Sequence, residues 1–166
     1  MEAALTLLRE NGIRPDLHDE RSTGTGLQVQ FRGALRPDQQ QAVDAMLAHD
    51  TGVLCAPTAF GKTVTAAALI AARVVNTLIL VHRAELLRQW RERLQTFLAA
   101  TDCEGGSGLN IGAIGGGKSK PTGKVDISLM QSLCRQGEVN ALVEDYGHIV
   151  VDECHHYRGV FGAHVA

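Results

Sequence analysis

The sequence predicts an α/β fold, a mostly parallel sheet with helices on both faces, and three observations carry that expectation. Short continuous apolar runs at residues 53–56, 77–81 and 149–151 alternate with helical stretches, and runs apolar on both faces suit a parallel sheet covered by helices. The first run breaks at Pro57 into a tight loop that ends in Gly61-Lys62-Thr63, and residues 64–72 then carry strong helix formers. The last run ends in two adjacent carboxylates, Asp152 and Glu153.

Taken in order, residues 3–11 predict a short helix with Leu5, Leu7 and Leu8 as its apolar positions. Residues 12–26 are polar and punctuated by Pro and Gly, as a surface loop is. Residues 27–31 alternate apolar and polar, the pattern of a half-buried strand. Pro37 near a first turn, followed by Ala42, Val43, Met46 and Leu47 at helical spacing, predicts an amphipathic helix. Residues 53–56 predict a buried strand leading into the loop, and residues 77–81 a second one. Between residues 84 and 98, Leu87, Trp90, Leu94 and Phe97 recur at three- and four-residue steps, which places Trp90 in a core stripe. Residues 101–108 predict a loop and residues 109–114 a strand. Residues 115–124, with three lysines and no acid, predict a flexible basic turn or hairpin. A strand at 125–130, a short helix marked by Val139, Leu142, Val143 and Tyr146, and a strand at 148–151 complete the pattern.

A chain of 166 residues lies in the range of one domain. Its net charge of −2 excludes a global positive field for nucleic acid, so any such binding must rest on local patches. Cys55, Cys103, Cys134 and Cys154 are scattered without a Cys-x-x-Cys pair, as reduced thiols of a cytoplasmic protein are. The start, Met-Glu-Ala-Ala-Leu, lacks the cationic and apolar segments of a leader, and no apolar stretch reaches the length of a membrane span, so no membrane partner is expected.

The loop predicts a phosphate cradle. Successive backbone N–H groups in such a turn make an anion nest, and the helix start adds unpaired N–H groups and the positive end of its dipole. Pro57, Thr58, Ala59, Phe60, Gly61, Lys62 and Thr63 are the nucleotide-binding candidates. Lys62 supplies a point charge and the Thr63 hydroxyl a ligand for Mg²⁺. The first glycine position of the Gly-x-x-x-x-Gly-Lys-[Ser/Thr] pattern is Ala56, which excludes a turn needing positive φ there. Ligands of a parallel sheet gather at the carboxyl ends of strands, so Asp152 and the loop are expected to face one another. Asp152 suits Mg²⁺ through water, and Glu153 suits the water that attacks a γ-phosphate.

These segments resemble superfamily 2 helicases. The stretch from Ala56 to Thr63 resembles their motif I, although Ala59 stands where glycine is common. Asp152-Glu153-Cys154-His155 resembles motif II in its Asp-Glu-x-His form, and Leu35-Arg36-Pro37-Asp38-Gln39 the segment that places an adenine-reading glutamine, here Gln39. Residues 80–90 are similar to motif Ia, and residues 128–133 to a motif that touches nucleic acid. Among these proteins the chain looks closest to DEAD/DEAH-box proteins of the type III restriction subunit kind. The resemblance implies the first RecA-like domain of a P-loop NTPase, with ATP and Mg²⁺ as cofactors and DNA or RNA as partner. It implies catalytic roles for Lys62, Asp152, Glu153 and His155, with Thr63 and Asp152 on the metal. Arg83, Lys118, Lys120, Gln131 and Ser132 would contact the sugar-phosphate backbone without reading sequence. His155 would couple the nucleotide to that surface.

Residues 1–34 are expected to be an N-terminal extension and 35–166 the ATP-binding domain. The sequence ends 14 residues after Asp152, without a Ser-Ala-Thr-like motif or a second RecA-like domain, so a truncated domain with weak hydrolysis and no unwinding is expected. Two other functions fit the same residues: a binding module that no longer turns over, and a small P-loop kinase, for which no lid or acceptor site is visible. Cys154-His155-His156 with His164 invites a zinc site, but no second Cys/His cluster has the spacing for one.

Overall fold

A computed structural model of the protein describes residues 2–16, 22–101, 109–135 and 138–156. The elements in chain order are α1 (Glu2–Glu10), β1 (Val29–Phe31), α2 (Pro37–Leu47), α3 (Lys62–Arg73), β2 (Thr77–Val81), α4 (Ala84–Phe97), β3 (Leu98–Ala100), β4 (Ile111–Gly115) and β5 (Lys118–Lys120). They continue with β6 (Val125–Leu129), α5 (Met130–Leu133), β7 (Cys134–Arg135), β8 (Glu138–Val139), a 3₁₀ helix (Ala141–Asp145), β9 (His148–Val151) and a second 3₁₀ turn (Cys154–His156).

The central sheet has the order β5-β4-β6-β2-β9. Strands β4, β6, β2 and β9 are parallel, and β5 returns antiparallel on β4 through Gly116 and Gly117, both at positive φ. The basic stretch is therefore a hairpin. Every residue of β2 is buried, and its alternation divides the core. Ile79 and Val81 pack with Trp90, Leu94, Ala67 and Ile70 of α4 and α3. Leu78 and Leu80 pack on the other face with Met130, Leu133 and Tyr146. Such two-sided burial is why the run carries no polar alternation. Strands β1 and β3 form a separate antiparallel pair, with Leu27 and Val29 joining the main core.

Two expected elements take another form. Residues 53–56 form no strand: Val53 is 80 % exposed, and the sheet ends at β9 without reaching them. An apolar run becomes a strand only when a neighbour presents its N–H and C=O groups in register, and no strand among the described residues does so here. The short helix expected around Val139 to Tyr146 is a 3₁₀ helix over Ala141–Asp145. Val139 is paired with Cys134, Asn140 caps Leu142 with its side chain, and Tyr146 is held in the core, so the helical segment is confined to the five residues between them.

Candidate nucleotide site

The loop expected to cradle phosphate closes on itself through a Phe60 N–H bond to the Pro57 carbonyl (3.3 Å). Ala59 takes φ 67 within that turn, a conformation that favours glycine and costs an L-residue about 1 kcal/mol. Gly61 follows at φ 87 and starts α3, accepting from the Val64 and Thr65 N–H groups. A Cβ at Gly61 would come within 2.6 Å of Gln39 Nε2, so glycine is required there for backbone and for space.

Gln39 is buried at the first turn of α2, and both ends of its amide are engaged. Its Oε1 accepts from the Arg36 N–H (3.0 Å), and its Nε2 donates to the Phe60 carbonyl (2.7 Å). Arg36 Nη2 donates to the same carbonyl (2.8 Å), and its guanidinium lies 5.7 Å from the centre of the Phe60 ring. The glutamine expected to face a base thus clamps the phosphate loop here. The Arg36 guanidinium also hydrogen-bonds Asp38 and holds its carboxyl below the usual carboxylate range. Arg36 had no role in the sequence expectation; its place three residues before Gln39 was the available signal.

Across the cleft, β9 delivers Asp152 and Glu153 at its carboxyl end, with the Asp152 N–H on the Leu80 carbonyl (3.0 Å). Glu153 sits at φ 51, a left-handed conformation that costs a side-chain-bearing residue about 1 kcal/mol or more. That turn directs its carboxylate back to the loop. Lys62 Nζ lies 3.4 Å from Glu153 Oε1, joining residues 91 positions apart in the chain. His155 Nδ1 lies 3.4 Å from Glu153 Oε2. Thr63 and Asp152 line one cleft of about 360 Å³, and Asp152 and Glu153 with His82 and Arg83 line another of about 360 Å³. The oxygen donors of Thr63 and Asp152 are hard ligands of the kind Mg²⁺ takes, so the residues present fit that ion. Asp152 Oδ2 also accepts a 2.7 Å bond from the indole N–H of Trp90, a contact the helical stripe did not disclose.

The residues expected on nucleic acid follow the same edge of the sheet. Val81 and Leu129 are opposite each other in β2 and β6, and Arg83 and Gln131 each follow two residues beyond them, both exposed. Gln131 Nε2 reaches the His82 carbonyl at 3.4 Å. Ser132 is exposed and close to Gly115, where an added Cβ would approach its Oγ to 2.6 Å. Lys118 stands opposite Gly115 in the hairpin, and exposed Lys120 opposite Ala113, farther from that edge. Pro57 and Thr58 are exposed on the loop. His164 lies outside the described residues.

A profile of the type III restriction enzyme res subunit matches residues 32–162. The chain belongs to that family. The res-subunit family is one of superfamily 2 helicases, and the flanked, mostly parallel sheet is that of a partial RecA-like domain. The chain is 31% identical over 122 residues to the DNA 3'-5' translocase XPB2 of Sulfurisphaera tokodaii, covering 74% of this chain and 25% of that protein. It is 36% identical over 143 residues to the Rad25 protein of Halobacterium salinarum, covering 84% and 23%. It is 35% identical over 127 residues to the DNA 3'-5' helicase XPB of Mycobacterium tuberculosis, covering 73% and 22%. The chain therefore spans about a quarter of the length of these relatives.

Proposed function

We propose that this chain is the ATP-binding half of a DNA helicase or translocase, in which ATP hydrolysis with Mg²⁺ drives movement along nucleic acid. The observation that carries this reading is the approach of Lys62 to Glu153 beside a cleft shared by Thr63 and Asp152. A phosphate chain entering the cleft takes Glu153's place at Lys62, while the amides at the start of α3 hold its oxygens. When bound, Mg²⁺ neutralises charge on those oxygens. Thr63 and Asp152 would hold it, Asp152 through water. Glu153, released from Lys62, orients the attacking water and takes its proton. His155, against Glu153, links this step to the edge bearing Arg83, Gln131 and Ser132, which grips the sugar-phosphate backbone with Lys118 and Lys120. Gln39 reads adenine once it leaves the loop carbonyl. The names of the relatives favour DNA over RNA as the track.

A second RecA-like domain belongs to this reading as the partner that completes the cleft. An arginine finger of the kind such a domain supplies is worth about 10³–10⁵ in rate, so the 166-residue chain is expected to hydrolyse ATP slowly and to unwind nothing. The test is the ATPase rate of the chain with and without single-stranded DNA, beside Lys62→Ala and Glu153→Gln. Glu153→Gln is expected to lower the rate about 10²-fold or more while nucleotide still binds. An unchanged rate overturns the hydrolytic reading and leaves a binding module; unwinding of a tailed duplex by the chain alone overturns the need for a partner domain.

A further inference from the structure

The apolar stripe of α4 explains why the rings of Trp90 are buried; it does not explain where the indole nitrogen points. Trp90 is 4 % exposed and packed in the main core with Ile79, Val81 and Leu94. A buried indole N–H needs an acceptor. The acceptor is Asp152 Oδ2, at 2.7 Å and 62 residues away. Among the described residues this is the one hydrogen bond to that carboxylate. Asp152 also lines the cleft that it shares with Thr63.

We propose that Trp90 is a positioning residue for Asp152: its indole N–H fixes the rotation of the carboxylate so that Oδ1 stands ready for a hydrated divalent cation. Tryptophan suits this role because it donates and cannot accept. It orients the acid without competing for the cation, as a histidine or a second carboxylate would. The core clamps the donor, so the bond has one geometry; a surface donor on a long side chain would have many. The cation part rests on the nucleotide reading above, whereas the pairing rests on the contact alone.

Trp90 is the single tryptophan of the chain, so one indole N–H resonance reports the contact by NMR. In the full chain without ligand, that proton is expected downfield, as a carboxylate-bonded donor is, and Asp152→Ala is expected to move it upfield. A resonance that ignores Asp152→Ala overturns the pairing. Trp90→Phe keeps an aromatic ring and removes the donor. It is expected to raise the Mg²⁺ concentration that half-saturates Mg²⁺-dependent ADP binding about tenfold, the size typical of losing a hydrogen bond to a metal ligand. Leu87→Ala loosens the same core away from Asp152 and is expected to lower the melting temperature with that midpoint unmoved. Equal midpoints for wild type and Trp90→Phe overturn the positioning role, leaving Trp90 a packing residue. Failure of the wild type to bind ADP at any Mg²⁺ concentration, with the indole proton still responding to Asp152→Ala, removes the nucleotide reading and supports the pairing.

Discussion

The two ends of the central sheet are both rich in polar side chains, but they treat them in opposite ways. At the amino ends of the strands, Asn76 is 2 % exposed and uses every hydrogen-bonding position its amide has. Its Oδ1 accepts from the N–H groups of Thr25 (2.9 Å) and Gly147 (3.1 Å), and its Nδ2 donates to the carbonyls of Gly123 (3.1 Å) and Asp145 (2.9 Å). Beside it, Asp126 is fully buried and accepts from Thr122 N–H and Oγ1, Gly123 N–H and the Tyr146 hydroxyl. Burial, and then this bond to Asp126, push the Tyr146 hydroxyl well above its usual range. At the carboxyl ends, Lys62 and Glu153 are each more than a third exposed, share one 3.4 Å contact, and stand on left-handed or glycine-dependent turns. A polar group whose capacity is filled by its own chain acts as a fastener. One left half-filled beside a cleft is available to a ligand.

That contrast can be broken experimentally, and the largest effect is expected at the closed end. Asn76→Ala removes a buried amide that serves two backbone donors and two acceptors in part-buried bonds, so urea unfolding should show a loss of about 3 kcal/mol. A loss under about 1 kcal/mol would mean that water replaces Asn76 and that the end is not closed.

Acid provides the next test. His148 opens β9 with its Nδ1 3.1 Å from Thr77 Oγ1. Burial first, and then the charge of Arg73, lower its pKa to about 4. The folded chain therefore holds His148 neutral while the unfolded chain protonates it near pH 6.5. Between those values the unfolded state binds more protons, so stability is whole above about pH 6.5 and falls as pH drops toward 4, by about 3 kcal/mol from this group. Unfolding midpoints at pH 7.5 and 4.5 measure it, and His148→Asn should flatten the difference.

Smaller effects are expected at the open end. Ala59→Gly relieves the left-handed alanine and should raise stability by about 1 kcal/mol, less the added freedom of the unfolded chain. Lys62→Ala should change stability by under about 1 kcal/mol, because half-exposed ion pairs contribute little, while ADP affinity measured by titration calorimetry falls sharply. A Lys62→Ala loss as large as that of Asn76→Ala would erase the distinction between the two ends.

Much of the open end was legible before folding. The loop through Thr63 and the pair Asp152-Glu153 were each nominated by a few consecutive residues; the acids do follow the carboxyl end of β9, whereas the strand expected to lead into the loop does not form. The periodicity of α4 placed Trp90 and Leu94 in the core, where they are. At the closed end the strand at 125–129 and the apolar place of Tyr146 were legible, but the hydrogen bonds were not. Asn76, Asp126 and Tyr146 stand 20 to 70 positions apart and match no pattern: Asn76 bonds backbone groups 47 to 71 positions away, and Asp126 ties its own Thr122–Gly123 turn to the distant Tyr146 hydroxyl.

The sequence by itself determined that the run at 77–81 is buried and that the apolar stripe of α4 faces the core, and its short motifs nominated the loop and the acids of the proposed site, because periodicity and motifs are written in neighbouring residues. Tertiary structure alone decided that residues 53–56 pair with no strand among the described residues, that Gln39 and Arg36 hold the Phe60 carbonyl, and that Trp90 grips Asp152. The physical reason is common to all three. A hydrogen bond between distant residues depends on strand order and on which edge remains open, and both are set when the sheet assembles as a whole.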